Sequence, residues 1–279
     1  MSEARRRKTR LQRMQEVQPW CIYCGGTTPG TNRDHMPPIG LFDLRQRVGD
    51  MQYLSCEACR LGTEKVDLVA GWFARLYSAK SGTPATKEEI REFIKGVGNN
   101  VPDVLHEMRV ENVLRGRRHG AHEALPDAAA IFSVGPIADS YLSAFGARVV
   151  LALHFEATGR VLPSTGGVFV HWLSNQAIVD NEVPEDLLAM LGPAQTLRQG
   201  RKSLEDQFLF KSNVEDGDAR SAHFATFRVS FAVQGYAVRD FVEMEHIVKD
   251  LPAKVFRPGF LKALANRPTV RPGDPSPGE

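Results

Sequence analysis

Apolar positions recur at helical spacing through the first half of this chain and shift toward alternation in the second. From Glu64 to Lys80, Val66, Val69, Ala70, Phe73, Leu76 and Tyr77 fall on one stripe, which predicts a helix with a core-facing surface interrupted only by Gly71. Thr86 and Glu89 have the spacing of a capping box, so the next helix is expected over Lys87–Val97. Pro102 suits the first position of another helix reaching about Arg115. Leu142, Phe145, Val149 and Leu153 share a face over roughly Ile137–Ala157. A polar helix is expected at Lys8–Val17, and a short strand at Thr31–His35 ended by Met36-Pro37-Pro38.

After Gly159 the texture changes. "GGVFVHWL", "EDQFLFKS" and "HFATFRVSFAVQGYAV" are rich in Val and Phe and read as strands, with Val229, Phe231 and Val233 alternating. Pro184 introduces a short helix at Glu185–Leu191. The phenylalanines here are expected to pack a sheet, Trp72 and Phe73 to lie in a core, and Trp172 is ambiguous. His154, His171 and His223 lack metal-ligand spacing. The organisation expected is a basic segment (1–18), a small cysteine-bearing module (19–80), a helical region (81–158), an α+β accessory domain (159–266) and a disordered Pro- and Gly-rich tail (267–279). The fold class is therefore α+β, with a mainly antiparallel C-terminal region.

Composition narrows this little. A chain of 279 residues with 42% hydrophobic content has ample material for a core, and its net charge of +2 names no partner. The distribution of charge says more: Arg5, Arg6, Arg7, Lys8, Arg10 and Arg13 crowd one end, and Arg115, Arg117 and Arg118 form a second knot. Such runs can neutralise phosphates or be plain solvated ends, so contact with nucleic acid and a bare basic terminus stay open alike, as does a homodimer. No run of about 18 apolar residues suggests a membrane helix. No apolar segment follows Arg5-Arg6-Arg7 as a secretory signal would require, and a cytoplasmic location is expected.

All four cysteines form two Cys-x-x-Cys pairs, Cys21/Cys24 and Cys56/Cys59. Together they offer the four thiolates of a tetrahedral structural Zn²⁺ site; redox dithiols are the competing reading. Between the pairs lies "TNRDHMPP". On a strand, Asp34 and His35 point to opposite faces, so one can hold a metal while the other faces a substrate.

This arrangement resembles the HNH endonucleases, in the branch whose ββα-metal fold is stapled by two cysteine knuckles. The matching residues are Cys21, Cys24, Asp34, His35, Cys56 and Cys59, followed by a helix. More narrowly, "CIYCGG…RDHMPP…LSCEACRLGTEKVD" looks like uncharacterised bacterial and phage-associated members, and covers roughly residues 20–80. The resemblance implies hydrolysis of DNA phosphodiester bonds, with His35 as general base and Asp34 on a catalytic metal. The helix after the knuckle would supply a second ligand, and Asp67 with Glu64 one turn earlier are its available oxygens. Such ligands favour Mg²⁺ or Mn²⁺. The plainer alternative is that both acids only complement the helix N-terminus.

One position departs from that pattern. Where the family usually has an Asn that orients the histidine, this chain has Arg60, which can donate hydrogen bonds but not accept them. Three readings are open: Asn32 or a backbone carbonyl orients His35, Arg60 clamps the phosphate, or the module is catalytically degenerate. In the last case it binds nucleic acid or a protein partner.

Overall fold

A computed structural model describes residues 3–76, 84–108, 134–174, 185–242 and 253–265. The basic segment forms helix α1 (Glu3–Val17), tied down where Gln15 Nε2 donates to the Gly30 carbonyl (2.9 Å) and Arg10 to that of Gly49 (3.3 Å). The chain then makes a tight turn through Gly25 and Gly26, both at positive φ. A Cβ on Gly25 would lie 2.6 Å from the Ser164 backbone nitrogen, so only glycine fits this close approach.

Strand β1 (Asn32–His35) pairs antiparallel with β2 (Gln52–Ser55), placing Asp34 opposite Tyr53 and His35 opposite Gln52. The loop between them holds two 3-10 turns, Ile39–Leu41 and Asp43–Arg45. Helix α2 (Glu57–Leu76) follows β2 at once. It begins seven positions before the expected Glu64, because the second knuckle is itself helical. Cys59 and Arg60 therefore sit in its first turn, one turn ahead of Glu64.

Helix α3 (Pro84–Asn100) contains the expected Lys87–Val97, but it starts ahead of Thr86, so Glu89 does not close a capping box. Its carboxylate instead accepts the Leu44 N–H (2.9 Å) and pairs with Arg75 (3.3 Å). Helix α4 spans Pro102–Glu107; the remainder of the helix expected up to Arg115 lies outside the described residues, as do the Arg115–Arg118 knot and the 267–279 tail. Glu107 then caps the next helix by accepting the N–H groups of Ile137 (3.0 Å) and Ala138 (2.5 Å).

That helix, α5 (Pro136–Thr158), ends at the left-handed Gly159 and is buried on all sides from Tyr141 to His154. A helix apolar around its whole circumference belongs inside a core. One side of α5 meets α2 and the other meets an antiparallel sheet of order β6-β7-β8-β3-β9. The strands are β3 (Gly167–Ser174), β6 (Phe208–Val214), β7 (Arg220–Phe227), β8 (Phe231–Val238) and β9 (Lys254–Phe256). The minor hairpin β4 (Arg198–Gln199) and β5 (Lys202–Ser203) and helix α6 (Glu185–Met190) lie outside this sheet. Helix α7 (Phe260–Ala265) returns to pack on α2.

Gly146 lets the sheet approach α5, since a Cβ there would meet Val170 at 2.5 Å. The expected strand alternation holds at Phe231 and Val233, whereas Val229 is exposed in the β7–β8 turn. The phenylalanines pack face and edge beneath the sheet, with Phe227 and Phe231 stacked at 4.9 Å and Phe145 edge-on to Phe227 at 5.1 Å. The fold is α+β. One buried cluster runs from Cys21 to Leu261, so the cysteine region, α5 and the sheet share a core. Residue 158 is the last of α5, and residue 80 lies outside the described residues.

Candidate functional site

The two knuckles converge. Cys21, Cys24, Cys56 and Cys59 are buried, unbridged, and have sulfurs within 4.8 Å of one another. Hydrogen bonds from Cys21 and Cys59 pull Cys24 far below the usual thiol range, and the bond to Cys24 pushes Cys21 up to about 12. A cation at the centre would remove that conflict by drawing all four toward thiolate. The donor set fits, and the cluster can hold a metal ion such as zinc. Among the described residues it is the sole group of three or more His, Cys, Asp or Glu side chains so placed.

Asp34 and Asp67, from β1 and α2, also meet, and the group between them is a guanidinium. Arg148 Nη2 donates to Asp34 Oδ2 at 2.6 Å and to Oδ1 at 2.8 Å, while its Nη1 donates to Asp67 Oδ1. The Tyr23 hydroxyl adds a 2.5 Å bond to Asp34 Oδ2, and the guanidinium carbon lies 5.5 Å from the Tyr23 ring centre. Arg148 is fully buried in the middle of α5, with its Nε left without a partner. Burial opposes its charge, but Asp34 and Asp67 hold it protonated well above the ordinary arginine range. Burial likewise pushes Asp67 up to about 7, against the pull of Arg148.

These residues do not fit a divalent ion as they stand. Both Asp34 oxygens and one of Asp67 are committed to donors, and a dication among them would face a buried guanidinium at contact range.

His35 lies at the far end of β1, half-buried, with no hydrogen bond to either ring nitrogen among the described residues. Burial, then Arg47 and Arg33, lower its pKa to about 4 against the pull of Asp34, with Arg10 adding to the effect. The ring is therefore neutral at pH 7. Arg47 organises the chain beyond it, donating to the carbonyls of Pro37 (2.7 Å), Val48 (2.7 Å), Met36 (3.0 Å) and Met51 (3.2 Å).

Arg60 does not approach this centre. It lies on the outer side of α2, bonded to Glu57 (2.7 and 3.0 Å) and Glu64 (3.0 Å). Asn32 Nδ2 joins the same surface ladder by donating to Glu57 at 2.9 Å. Neither Arg60 nor Asn32 orients His35, and Glu64 pairs with Arg60 while its charge adds to the upward push on Asp67.

Asp34, His35 and Asp67 line a cavity of about 740 Å³ between β1, the 3-10 turns, α2 and α3. Sequence reasoning missed its α3 wall, and it missed Tyr23, Arg47 and Arg148. A signal for Arg148 was present. It is the one Asp, Glu, Lys or Arg in "YLSAFGARVVLALHF", and an arginine inside a buried helix is almost always paired.

Family models, curated proteins and solved structures were all compared with this chain. None matched.

Proposed function

We propose that this chain is a zinc-stapled module on the HNH plan that binds nucleic acid, with Arg148 standing where a divalent metal would join Asp34 and Asp67. The observation that carries this reading is the Arg148 guanidinium seated on both carboxylates. Zinc on the four cysteines supplies a structural clamp from the first knuckle to the start of α2, and closed four-thiolate sites do no chemistry themselves. Nucleic acid is supported by the basic α1 and by the arginines whose field falls on His35, namely Arg47, Arg33 and Arg10. A polyanion displaces counterions on meeting such a face, so its binding weakens steeply with salt.

The test is fluorescence anisotropy of the zinc-loaded protein with labelled duplex and single-stranded DNA, in buffer without chelator and without Mg²⁺ or Mn²⁺. Binding that falls with added salt and survives Asp34→Asn supports the reading. Absence of binding at low salt overturns it and leaves a protein partner as the better assignment.

A second reading is metal-dependent hydrolysis of DNA with His35 as general base. It draws on one observation, the neutral imidazole beside Asp34 at the cavity. It requires Arg148 to leave both carboxylates first. Plasmid nicking that needs Mg²⁺ or Mn²⁺ and disappears in His35→Ala would establish it over the first.

A further inference from the structure

The cavity beside His35 has hydrogen-bonding capacity that the fold does not use. Most of its polar lining is internally matched. Asp34 is taken by Arg148 and Tyr23, and the buried Arg75 spends its donors on the Phe42 carbonyl (2.6 Å), the Gly40 carbonyl and Glu89. Among the described residues, three polar lining groups have no such partner: the Arg45 guanidinium, the Glu92 carboxylate and the His35 imidazole. Between them the wall is apolar, supplied by Leu68, Ile39 and Phe93. Phe93 is held by Arg75, whose guanidinium carbon lies 4.8 Å from the ring centre. Arg45 is presented from a left-handed backbone at φ 56, next to Leu44 at φ 50, a costly conformation that the Leu44 N–H bond to Glu89 helps maintain.

We propose that this cavity binds one nucleotide whose base carries an exocyclic amino group, adenine or cytosine. The phosphate meets Arg45 and His35, the base lies against the Leu68, Ile39 and Phe93 wall, and Glu92 accepts from the amino group. Three features of the lining select this chemistry. Opposite unmatched charges call for a ligand with an anionic end and a donor end. A carboxylate reads the amino edge of cytosine and rejects the carbonyl that uracil has there. A volume of about 740 Å³ falls in the range of small-molecule sites, and a free amino acid would leave much of it empty. The inference rests on the nucleic-acid reading above and adds a base preference to it.

The experiment is calorimetric titration of the zinc-loaded protein with AMP, CMP and UMP, and with phenylalanine as the amino-acid source of the same paired charges. A long single-stranded oligonucleotide is titrated in parallel. AMP or CMP should bind at least tenfold more tightly than UMP. Glu92→Gln should abolish that preference, and Arg45→Ala should weaken every nucleotide about equally. Both positions are exposed, so both variants should fold as the parent does. Binding without an amino preference, binding unchanged by Glu92→Gln, or phenylalanine binding in place of nucleotides would each overturn the inference. If the oligonucleotide binds and no mononucleotide does, the cavity assignment fails and the nucleic-acid reading stands. If neither binds, both fail.

Discussion

Arg148 and Asp34 sit 114 residues apart in sequence and meet through one guanidinium nitrogen that bonds both carboxylate oxygens, at 2.6 and 2.8 Å. The same side chain reaches Asp67, so α5 delivers a single positive charge to two acids held on β1 and α2. Removing that cation strands two carboxylates in a poorly hydrated site. Arg148→Met should destabilise the protein by about 3–5 kcal/mol in urea unfolding, the range for breaking a buried ion pair from one side. Adding Asp34→Asn and Asp67→Asn to that variant should recover much of the loss. If the triple variant is no more stable than Arg148→Met alone, the stranded-charge explanation is wrong.

The cysteine cluster predicts a metal content. Plasma emission analysis should find about one zinc per chain, the complement of a single four-thiolate site. Cys56→Ser should lose the metal and lower the melting temperature, because the clamp fixes the start of α2 to the first knuckle. Full stability in a metal-free preparation would contradict this.

Two buried histidines predict an acid limit to stability. His154 Nδ1 bonds Ser221 Oγ at 2.8 Å, and Ser221 Oγ in turn meets His223 Nε2 at 2.8 Å. His223 Nδ1 reaches Ser212 Oγ, also at 2.8 Å. Burial lowers His154 to about 4 and His223 to about 3, with Arg239 reinforcing and Asp218 opposing at His154. Both folded values lie below the ordinary histidine pKa of about 6.5, so the unfolded chain binds the extra protons. Their contribution is therefore complete above that value and is lost as pH falls through the two folded values. Asp67, raised to about 7, acts in the opposite direction, and comparison with a variant removes it. The stability gap between the parent and His223→Gln should narrow from pH 7 to pH 4 in denaturant titrations. A gap independent of pH would rule out a neutral buried pair.

Arg60 predicts a small effect. Its partners Glu57 and Glu64 are more than half exposed, and exposed ion pairs contribute about 0–1 kcal/mol. Arg60→Asn should be close to neutral in stability. It should also leave plasmid un-nicked in Mg²⁺ or Mn²⁺, because the residue lies away from His35 and Arg148 still fills the acidic pair. Nicking by this variant would show that position 60 controls the site after all.

Much of the fold is legible in local patterns. The stripe Leu142, Phe145, Val149 and Leu153 marks α5 within a residue or two of its observed ends, and runs of Val and Phe mark β3, β6, β7 and β8. Cysteine spacing marks a cluster that closes in space. Periodicity gave no sign of which distant groups would satisfy one another. Asp34 finds Arg148, His154 finds His223 through Ser221, and Glu89 serves Leu44 and Arg75 rather than its own helix end. Each of those matches is settled by burial across elements far apart in sequence, where an unpaired polar group costs more than local propensity can offset.

The central claim, that Arg148 fills the place of a divalent cation, is tested most directly by Mn²⁺ titration of the zinc-loaded protein followed by electron paramagnetic resonance. The parent should show no stoichiometric Mn²⁺ site that depends on Asp34. Arg148→Met should gain one, and adding Asp34→Asn to it should abolish the gain. A Mn²⁺ site in the parent that vanishes with Asp34→Asn would contradict the account and return the Asp34–Asp67 pair to metal chemistry.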